Sequence, residues 1–198
     1  MDRAALTQAL ASWERRIHEL DGRRAAAVAV VVVDSADGPG IVLTKRSARL
    51  RAHAGQWALP GGRLDEGETY DVAALRELHE ELGMHVEAES VIGHLDDYPT
   101  RSGYVITPVV VWSDLSASAM APSAQEVASA HVVTADMLAV EPRFLTIPES
   151  TSPVIQLPLL NTLIHAPTAA IVYQFRELAL YGRVTRVDEL EQPVFAWR

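Results

Sequence analysis

Residues 61–84, GGRLDEGETYDVAALRELHEELGM, decide the fold prediction. Apolar residues within this stretch recur at spacings of three and four, which is typical of one stripe of an α-helix. Gly83 follows the last apolar residue of the stripe, where a left-handed helix C-cap is expected. We therefore predict a short helix that packs on a core through Val72, Leu75, Leu78 and Leu82.

Three carboxylates, Glu77, Glu80 and Glu81, are predicted to lie on the helix face away from that stripe. Glu77 and Glu81 are a like-charge pair one turn apart, which destabilises a helix by a few tenths of a kcal/mol. Arg76 can offset part of this cost by reaching Glu80, and a divalent cation would offset more. Clustered carboxylates without Cys or His suit the hard ions Mg²⁺ and Mn²⁺. A solvated acidic helix face is the alternative interpretation.

Composition and charge narrow the class of protein. The chain has 198 residues, a formal net charge of −9 and no cysteine. The negative charge argues against a general nucleic-acid binder, and the lack of cysteine excludes disulfides and zinc–thiolate sites. The longest apolar run, at 25–33, is too short to cross a bilayer, and the first residues lack a secretory pattern. We expect a cytoplasmic protein with one domain over residues 1–198 and without membrane or nucleic-acid partners.

The segment before the acidic helix predicts one further helix and two strands. Apolar residues alternate spacings of four and three near the N-terminus, which predicts an amphipathic N-terminal helix over residues 1–22. The β-branched run at 25–33 predicts a strand buried on both faces, and residues 41–45 return as its partner strand. The apolar residues of the N-terminal helix are Leu6, Leu10, Trp13, Ile17 and Leu20.

The segment after the acidic helix predicts more strands and a C-terminal helix. Residues 86–94 and 104–112 have the composition of strands, and Pro108 indicates an edge or a bulge in the second. Three prolines favour an irregular flap or spacer over 144–158. Residues 159–198 are expected to form a helical extension, with its helix starting near Thr168, and a tail. The other expectations are a loop at 113–123, a short helix at 135–140 and docking of the apolar residues 194–197 on the body.

A basic stretch at residues 45–62 precedes the acidic helix in an otherwise acidic protein. Arginine forks match phosphate oxygens bidentately, so Arg46 and Arg51 are candidates for binding a phosphorylated substrate. Gly61 and Gly62 allow the backbone to turn sharply and to approach a ligand closely. A solvated strand end followed by a loop is the alternative interpretation of this stretch.

The spacing of the fixed residues resembles the sequence box of the Nudix pyrophosphohydrolases. Gly62 is followed after five residues by Glu68, and Arg76 comes seven residues later. The remaining matched positions are Glu77, Leu78, Glu80, Glu81, Gly83 and Met84. The resemblance implies a Nudix-type α/β/α sandwich with a mixed central sheet, here with N-terminal and C-terminal helices. It also implies hydrolysis of a nucleoside diphosphate linked to another moiety.

Within that family, residues 43–62 are similar to the signature of the coenzyme A pyrophosphatase subgroup. Leu59 stands where the signature usually has Phe, and Val42 where it has Leu. Residues 165–169 keep only the Thr-Ala of a later element of the subgroup. The residues that match the signature are Leu43, Thr44, Arg46, Ser47, Arg51, Gly55, Pro60, Gly61 and Gly62. The resemblance adds Ser47 to the candidate substrate-binding residues.

The resemblance also implies roles for the acidic residues of the box. Glu77 and Glu81 are expected to be the principal ligands of Mg²⁺ or Mn²⁺, with Glu80 bridging or binding a second ion. Arg76 is expected to orient these carboxylates. Glu68 is expected to hold the loop to the helix, with direct metal contact as the alternative, while Gly83 ends the helix.

The general base is left open between Glu80 and Glu126, because a base must lie within hydrogen-bond reach of the attacking water. Glu126 precedes the predicted last strand in a pattern that resembles the family. His53, His79 and His131 are alternatives that we expect to be surface or structural histidines.

The favoured function is cleavage of coenzyme A or acyl-coenzyme A to 3′,5′-ADP and a phosphopantetheine. A second candidate is hydrolysis of another nucleoside diphosphate derivative, such as ADP-ribose, NADH or a damaged nucleotide. A Nudix domain that senses a nucleotide without cleaving it, and an acidic scaffold protein, are the alternatives outside enzymology. The expected partner is a small-molecule substrate, and assembly as a homodimer is left open.

Overall fold

The β-branched run that the sequence predicts to be buried forms the central strand of the molecule. In the computed structural model, which describes residues 1–50 and 53–197, this strand is β1, Arg24–Asp34. It pairs antiparallel with β2, Gly40–Arg46, and parallel with a long strand, Tyr104–Ser116. Parallel and antiparallel neighbours on one strand make the sheet mixed, as predicted.

Eight strands of the described residues form this sheet. Its main order is β3-β2-β1-β7-β5, in which β7 is Tyr104–Ser116, while β4 pairs with β1, β6 with β7 and β8 with β2. The shorter members are β3 (Trp57–Ala58), β4 (Gly61–Arg63), β5 (Val91–His94), β6 (Tyr98–Pro99) and β8 (Val127–Thr134).

Helices cover both faces of this sheet, because alternate residues of β1 point in opposite directions. Val31 and its neighbours on one face pack with Leu78 and Leu82 of α2, Tyr70–Leu82. Val30 and Val32 on the other face belong to a core shared with α1, Arg3–Ala11, and α4, Thr168–Tyr181. The predicted α/β/α sandwich is therefore confirmed. The short helix α3, Ala135–Leu138, falls within the predicted 135–140.

The N-terminal helix is shorter than the predicted 1–22, which corrects that expectation. It ends at Ala11, and the chain continues without a helix. The backbone N–H groups of Arg16 and His18 donate to the carboxylates of Asp96 and Asp97 at 2.8 Å and 3.0 Å. Asp97 N donates in turn to Arg16 O at 3.0 Å. These bonds use the donors that a helix would need, so tertiary contacts override the local periodicity.

The proline-containing stretch after residue 142 is a hairpin, whereas an irregular flap was expected. It consists of β9, Arg143–Ile147, and β10, Ser150–Leu159. A third strand, β11, Thr162–His165, pairs with β10 and occupies the start of the predicted helical extension. The helix itself begins at Thr168, as predicted. The three strands form a second sheet in the order β11-β10-β9, with a register shift that accommodates the segment between Ser150 and Val154.

Three smaller expectations about the sheet are also corrected. Pro108 lies in the interior strand β7, where Leu95 N donates to Pro108 O at 3.0 Å, so the proline contributes the acceptor that this contact needs. The strand β7 continues through Ser116 into residues that were expected to form a loop, followed by a 3₁₀ turn, Ala117–Ala119. Most of the predicted strand 86–94 precedes β5 as coil and a 3₁₀ turn, Ala88–Ser90.

Candidate metal and substrate site

The helix α2 is capped at both ends, and its C-terminal cap at Gly83 is the one that the sequence predicts. The Thr69 side chain accepts a hydrogen bond from Val72 N at 3.3 Å and caps the N-terminus. Gly83 adopts a left-handed conformation with φ of 66°, and its N–H donates to His79 O. These caps satisfy terminal backbone groups and fix where the helix begins and ends. Leu78 and Leu82 are buried as expected, whereas Val72 is half exposed.

The three box carboxylates do not share one solvent-exposed face, which corrects the expectation from the helical wheel. The Glu80 side chain is 51% exposed, but the side chains of Glu77 and Glu81 are only 14% and 4% exposed. The segment after β7 covers the end of the helix, where Ser123 N donates to Glu81 O at 2.9 Å and Ala121 N to Leu82 O at 2.8 Å. The site therefore has a buried part and a solvent-facing part.

Arg76 joins the acidic residues of the box to one another. Its Nε donates to Glu68 Oε1 at 2.8 Å, and its NH1 group donates to Glu77 Oε1 at 2.9 Å and Glu80 Oε2 at 3.0 Å. Hydrogen bonding to Glu68 is the largest of the effects that raise the pKa of Arg76, so the guanidinium is charged. Glu68 also accepts from Asp65 N at 2.8 Å, which fixes the loop before the helix.

Two consecutive glycines bring the backbone against the helix and the sheet. An added Cβ at Gly62 would lie 2.1 Å from Glu77 Oε1, so the missing side chain makes room for that carboxylate. An added Cβ at Gly61 would lie 2.3 Å from the Ala27 carbonyl oxygen of β1. A side chain at either position would overlap existing atoms. These contacts explain why Gly61 and Gly62 of β4 have no side chains.

Burial dominates the electrostatics of Glu81. Desolvation raises the pKa of Glu81 to about 8, and the charges of Glu77 and Glu126 act in the same direction. Arg46, with NH1 3.7 Å from Glu81 Oε1, and the backbone of Gly61 lower it in part. In such surroundings the charged form of the carboxylate is unfavourable, and a nearby cation would stabilise it.

Glu77 has similar surroundings. Burial raises the pKa of Glu77, hydrogen bonding to Arg76 opposes that change, and the charges of Glu80 and Glu126 add to it. Glu126 thus lies close enough to influence both buried box carboxylates, although it is 45 residues away in sequence from Glu81. Its carbonyl oxygen accepts from Ser47 N at 2.8 Å, which ties the basic stretch to this side of the site.

The carboxylate oxygens of the box are suitable ligands for a hard divalent cation. Among the residues that the structure describes, no three or more His, Cys, Asp and Glu side chains already enclose a metal position. Arg76 occupies the space between Glu77 and Glu80 instead. The buried Glu77 and Glu81 carboxylates nevertheless supply the all-oxygen ligands that Mg²⁺ or Mn²⁺ prefers, and burial raises the pKa of both.

The remaining candidates from the sequence are Arg51 and three histidines. Arg51 is outside the described residues. His131 contacts Trp57 edge-on at 5.1 Å between ring centroids, and its ring nitrogen lies 2.8 Å from Ser129 Oγ. His79 stacks on His85 at 3.6 Å on the outside of α2. These contacts are those of structural or surface histidines, whereas His53 lines a large cavity.

That cavity has a volume of about 560 Å³ and begins beside the box. Gly61, Gly62 and Arg46 line it, so three predicted substrate-binding residues meet in one place. Sequence analysis missed Arg63, Trp57 and the C-terminal residues that form its other walls. Arg63 directly follows Gly62 and could have been included with the basic stretch. The C-terminal lining residues include Thr162, Ile164, His165, Thr168, Gln192 and Phe195.

The layered fold carries the capped acidic helix and places the glycine pair beside a cavity with cationic side chains. Residues 23–152, about two thirds of the chain, match the family model described as the NUDIX domain. The chain therefore belongs to the Nudix family. Among the described residues, no helix has the length and apolar character needed to cross a membrane.

Curated relatives match the middle of the chain. The "Uncharacterized Nudix hydrolase NudL" of Citrobacter koseri is 49% identical over 89 residues, which cover 44% of this chain and 46% of that protein. "Nudix hydrolase 3" of Caenorhabditis elegans is 38% identical over 97 residues, which cover 48% of this chain and 40% of that protein. The chain thus spans about half the length of the curated relatives it matches, or less.

Solved structures extend the likeness of fold beyond that segment. A MutT/nudix family protein from Enterococcus faecalis has a TM-score of 0.54 at 14% identity, covering 90% of this chain and 70% of that one. A NUDIX hydrolase from Nitrosomonas europaea has a TM-score of 0.52 at 16% identity, covering 88% and 80%. At such low identity these likenesses show the fold alone.

Proposed function

We propose that the protein is a pyrophosphohydrolase that depends on Mg²⁺ or Mn²⁺ and cleaves a nucleoside diphosphate derivative. One observation carries the proposal: the desolvated carboxylates of Glu77 and Glu81 lie beside Gly61 and Gly62, and these two glycines line a cavity of about 560 Å³. A buried acidic pair needs positive charge, and a phosphoanhydride reaction needs a cation near its phosphoryl oxygens. Family membership supports the same chemistry.

Glu77 and Glu81 would bind the cation, with Glu80 bridging it or binding a second ion. When bound, the cation would supply charge stabilisation of the phosphoryl oxygens and acidify a bound water. Arg76 holds Glu68, Glu77 and Glu80 in fixed relative positions through its hydrogen bonds. It is a positioning residue, because its donors are engaged by these carboxylates.

The base that accepts the proton of the attacking water is either Glu80 or Glu126. Glu80 is solvent-accessible but held by Arg76 at 3.0 Å. Glu126 is the better placed toward both buried carboxylates, since its charge influences each of them. On this proposal Glu126 abstracts the proton, and Glu80 remains available to a second ion. Glu126→Gln should then reduce kcat most in the pH range where the base of the unaltered protein is deprotonated, and it should remove the acid limb of the pH–rate profile.

For substrate binding, Arg46 and Arg63 provide positive charge on the cavity wall, while Gly61 and Gly62 allow phosphates to approach the backbone. Arg46 also contacts Glu81, so it links the phosphate end of the cavity to the carboxylates. The Ser47 hydroxyl accepts from Arg49 N at 3.4 Å and the Ser47 N–H is used by Glu126 O, which favours support of the loop over direct substrate contact. Arg51 stays a candidate from the sequence.

Coenzyme A or acyl-coenzyme A is the proposed substrate, giving 3′,5′-ADP and a phosphopantetheine. The similarity of residues 43–62 to the coenzyme A pyrophosphatase signature supports this choice. ADP-ribose, NADH or a damaged nucleotide is the second candidate, and a nucleotide sensor without turnover is the third. The intact set of Glu77, Glu80 and Glu81 favours an enzyme over a sensor, because binding alone does not need all three.

A hydrolysis screen with Mg²⁺ and with Mn²⁺, with products identified by mass, tests the proposal. We expect release of 3′,5′-ADP from coenzyme A, and a loss of at least about 100-fold in kcat for Glu81→Gln, since one misplaced catalytic group costs that much. Glu89→Gln is the matched control, because Glu89 is an exposed carboxylate just beyond α2. Nucleotide binding without any turnover would favour the sensor, and full activity of Glu81→Gln would contradict the assignment.

A further inference from the structure

Part of the cavity wall is built from residues that lie beyond the family match, which ends at residue 152. Ile164 and His165 come from β11, Thr168 begins α4, and Phe195 comes from the C-terminal 3₁₀ turn, Val194–Ala196. This wall is therefore specific to the C-terminal part of the chain, and it can select among substrates that share the same pyrophosphate.

The cavity combines cationic side chains with uncharged ones. Lys45, Arg46 and Arg63 are its lysine and arginine lining residues, and Arg63 directly follows Gly62. The C-terminal residues contribute the rings of His165 and Phe195 together with apolar side chains, and burial lowers the pKa of His165. A substrate with charged phosphates and an uncharged planar group would match this distribution.

Phe195 and His165 form an aromatic pair on this wall. Their ring centroids are 5.1 Å apart and the planes are inclined by 83°, an edge-to-face contact. The other side of His165 is held by Gln156, whose Nε2 lies 2.9 Å from the His165 Nε2 atom. Phe195 itself is 59% exposed, so much of its ring surface is available to a ligand. Aromatic rings with free faces are the surfaces on which nucleobases stack.

Gln192 adds hydrogen-bonding capacity to the same wall, although it is only 2% exposed. Its Oε1 accepts from Arg101 N at 2.8 Å. Because an N–H donor must meet an oxygen, this contact leaves the two Nε2 hydrogens for another acceptor. An alkyl chain would leave such a donor unpaired, whereas the ring nitrogens and carbonyl groups of a base can accept from it.

The C-terminal segment is held firmly enough to serve as a binding wall. Arg101 and Glu191 form an ion pair at 2.6 Å, and Tyr98 Oη donates to Leu190 O at 2.6 Å. Trp197 Nε1 donates to Gln192 O at 2.9 Å, which closes the final turn on itself. A wall that is ordered before the ligand arrives loses less entropy on binding.

We propose that Phe195, His165 and Gln192 form the nucleobase subsite of the protein, with Phe195 as the residue that determines affinity for the base. The phosphates would then lie toward Arg46 and Arg63. The inference rests on the proposed function for the position of the pyrophosphate, but base binding can be measured without any turnover.

The test is isothermal titration of the full chain with AMP and with ribose 5-phosphate, which lacks the base. We expect Phe195→Ala to weaken AMP binding by roughly 5- to 150-fold, the range for loss of one base–aromatic stacking contact. Ribose 5-phosphate should bind the variant and the unaltered protein within about 2-fold. Phe195→Tyr should keep AMP affinity, because it keeps the ring, and Phe195→Leu should lose it.

Phe144→Ala is the matched control, since Phe144 is a half-exposed aromatic residue of β9 that contacts Tyr173. Circular dichroism and the melting temperature establish that each variant is folded. Should Phe195→Ala lose its fold, His165→Ala provides the same comparison from β11. Equal AMP affinity in Phe195→Ala and unaltered protein, or no AMP binding by the unaltered protein, would overturn the subsite.

Titration with 4′-phosphopantetheine separates the base from the other half of coenzyme A. A loss confined to 4′-phosphopantetheine in Phe195→Ala would overturn the inference. Loss of AMP binding in a protein that hydrolyses nothing would support the subsite and reject the proposed function. If the protein hydrolyses its substrate but Phe195→Ala binds AMP as tightly as the unaltered protein, the subsite is rejected and the proposed function stands.

Discussion

At Gly62 the backbone lies directly against the Glu77 carboxylate of the acidic helix. Its missing Cβ leaves space for the Glu77 carboxylate, which an added methyl group would approach to 2.1 Å. Gly61 beside it faces the backbone of β1 instead, with Ala27 O at 2.3 Å from an added Cβ. The two glycines therefore give a matched pair of substitutions with different expected outcomes.

Gly62→Ala should leave the fold nearly intact and reduce activity, because the clash is with the end of a flexible side chain that can turn away. We expect a loss of about 1 kcal/mol in the free energy of unfolding and about 100-fold in kcat, as for a misplaced catalytic group. Gly61→Ala should instead lower the unfolding free energy by about 3 kcal/mol or more, since the backbone of β1 cannot move aside. Chemical denaturation and steady-state kinetics measure both. Equal stability losses in the two variants would contradict this distinction.

Single residues also show what the sequence could predict of the site. The spacing of Glu77, Glu80 and Glu81 identified the acidic cluster, and the glycines were found with it. The burial of Glu81 was not predictable, because it depends on the segment at 121–123 that bonds to the end of α2. The closeness of Glu126 was predictable only through the family resemblance, because the fold brings it to the box from a distant part of the chain.

At the scale of elements, local signals predicted those parts whose ends carry their own caps. The helix α2 ends before Gly83, as the sequence indicates, and its N-terminus is capped by Thr69. The N-terminal helix ends at Ala11 and not near residue 22, because the carboxylates of Asp96 and Asp97 accept hydrogen bonds from the backbone N–H groups of Arg16 and His18. The hairpin of β9 and β10 was missed because its prolines suggested a flap, yet Pro158 pairs with Leu163 of β11.

The C-terminal segment supplies a pH-dependent test at this scale. Glu191 is buried, which raises its pKa, but hydrogen bonds from Arg101, Gln192 N and Ser150 outweigh burial and lower the pKa of Glu191 below its usual 4.5. A lowered folded-state pKa contributes stability above the unfolded-state value, and that stability is lost as pH falls through the folded-state pKa.

Glu191→Gln should therefore lower the free energy of unfolding at pH 7 by about 1–3 kcal/mol, the usual cost of losing hydrogen bonds to a charged group. The difference from the unaltered protein should shrink as pH falls below 4.5, the usual value for this carboxyl. Urea denaturation at several pH values measures it, with the exposed Glu189→Gln as control. A difference that stays constant down to pH 3 would show that the charge of Glu191 is not responsible.

At the scale of the whole molecule, segments outside the family match are tied to the core through one carboxylate. Asp96 is fully buried and accepts from Trp13 Nε1, Arg16 N, Gln174 Nε2 and Arg186 NH1. The N-terminal segment, α4 and the C-terminal segment thus meet at the loop after β5. Through this junction the C-terminal wall of the cavity is fixed relative to the sheet that carries the acidic helix.

This arrangement explains how one chain can combine a common chemistry with a selective cavity. The sheet and α2 place the carboxylates beside the glycines that line the cavity, and the segments beyond residue 152 supply other lining residues. The sequence could predict the first part from its motif. It could not predict the second, because the cavity arises from contacts between residues about 100 positions apart, such as Thr168 Oγ1 donating to Trp57 O at 3.1 Å.

Calorimetric titration of the metal-free protein with Mn²⁺ tests the central claim most directly, because it needs no substrate. We predict that the unaltered protein and Glu89→Gln bind Mn²⁺ equally, whereas Glu77→Gln and Glu81→Gln each bind it at least about 10-fold more weakly, as expected when a charged ligand becomes neutral. All four proteins should be folded, since glutamine keeps the shape of the side chain. Equal Mn²⁺ affinity in all four proteins would contradict the account.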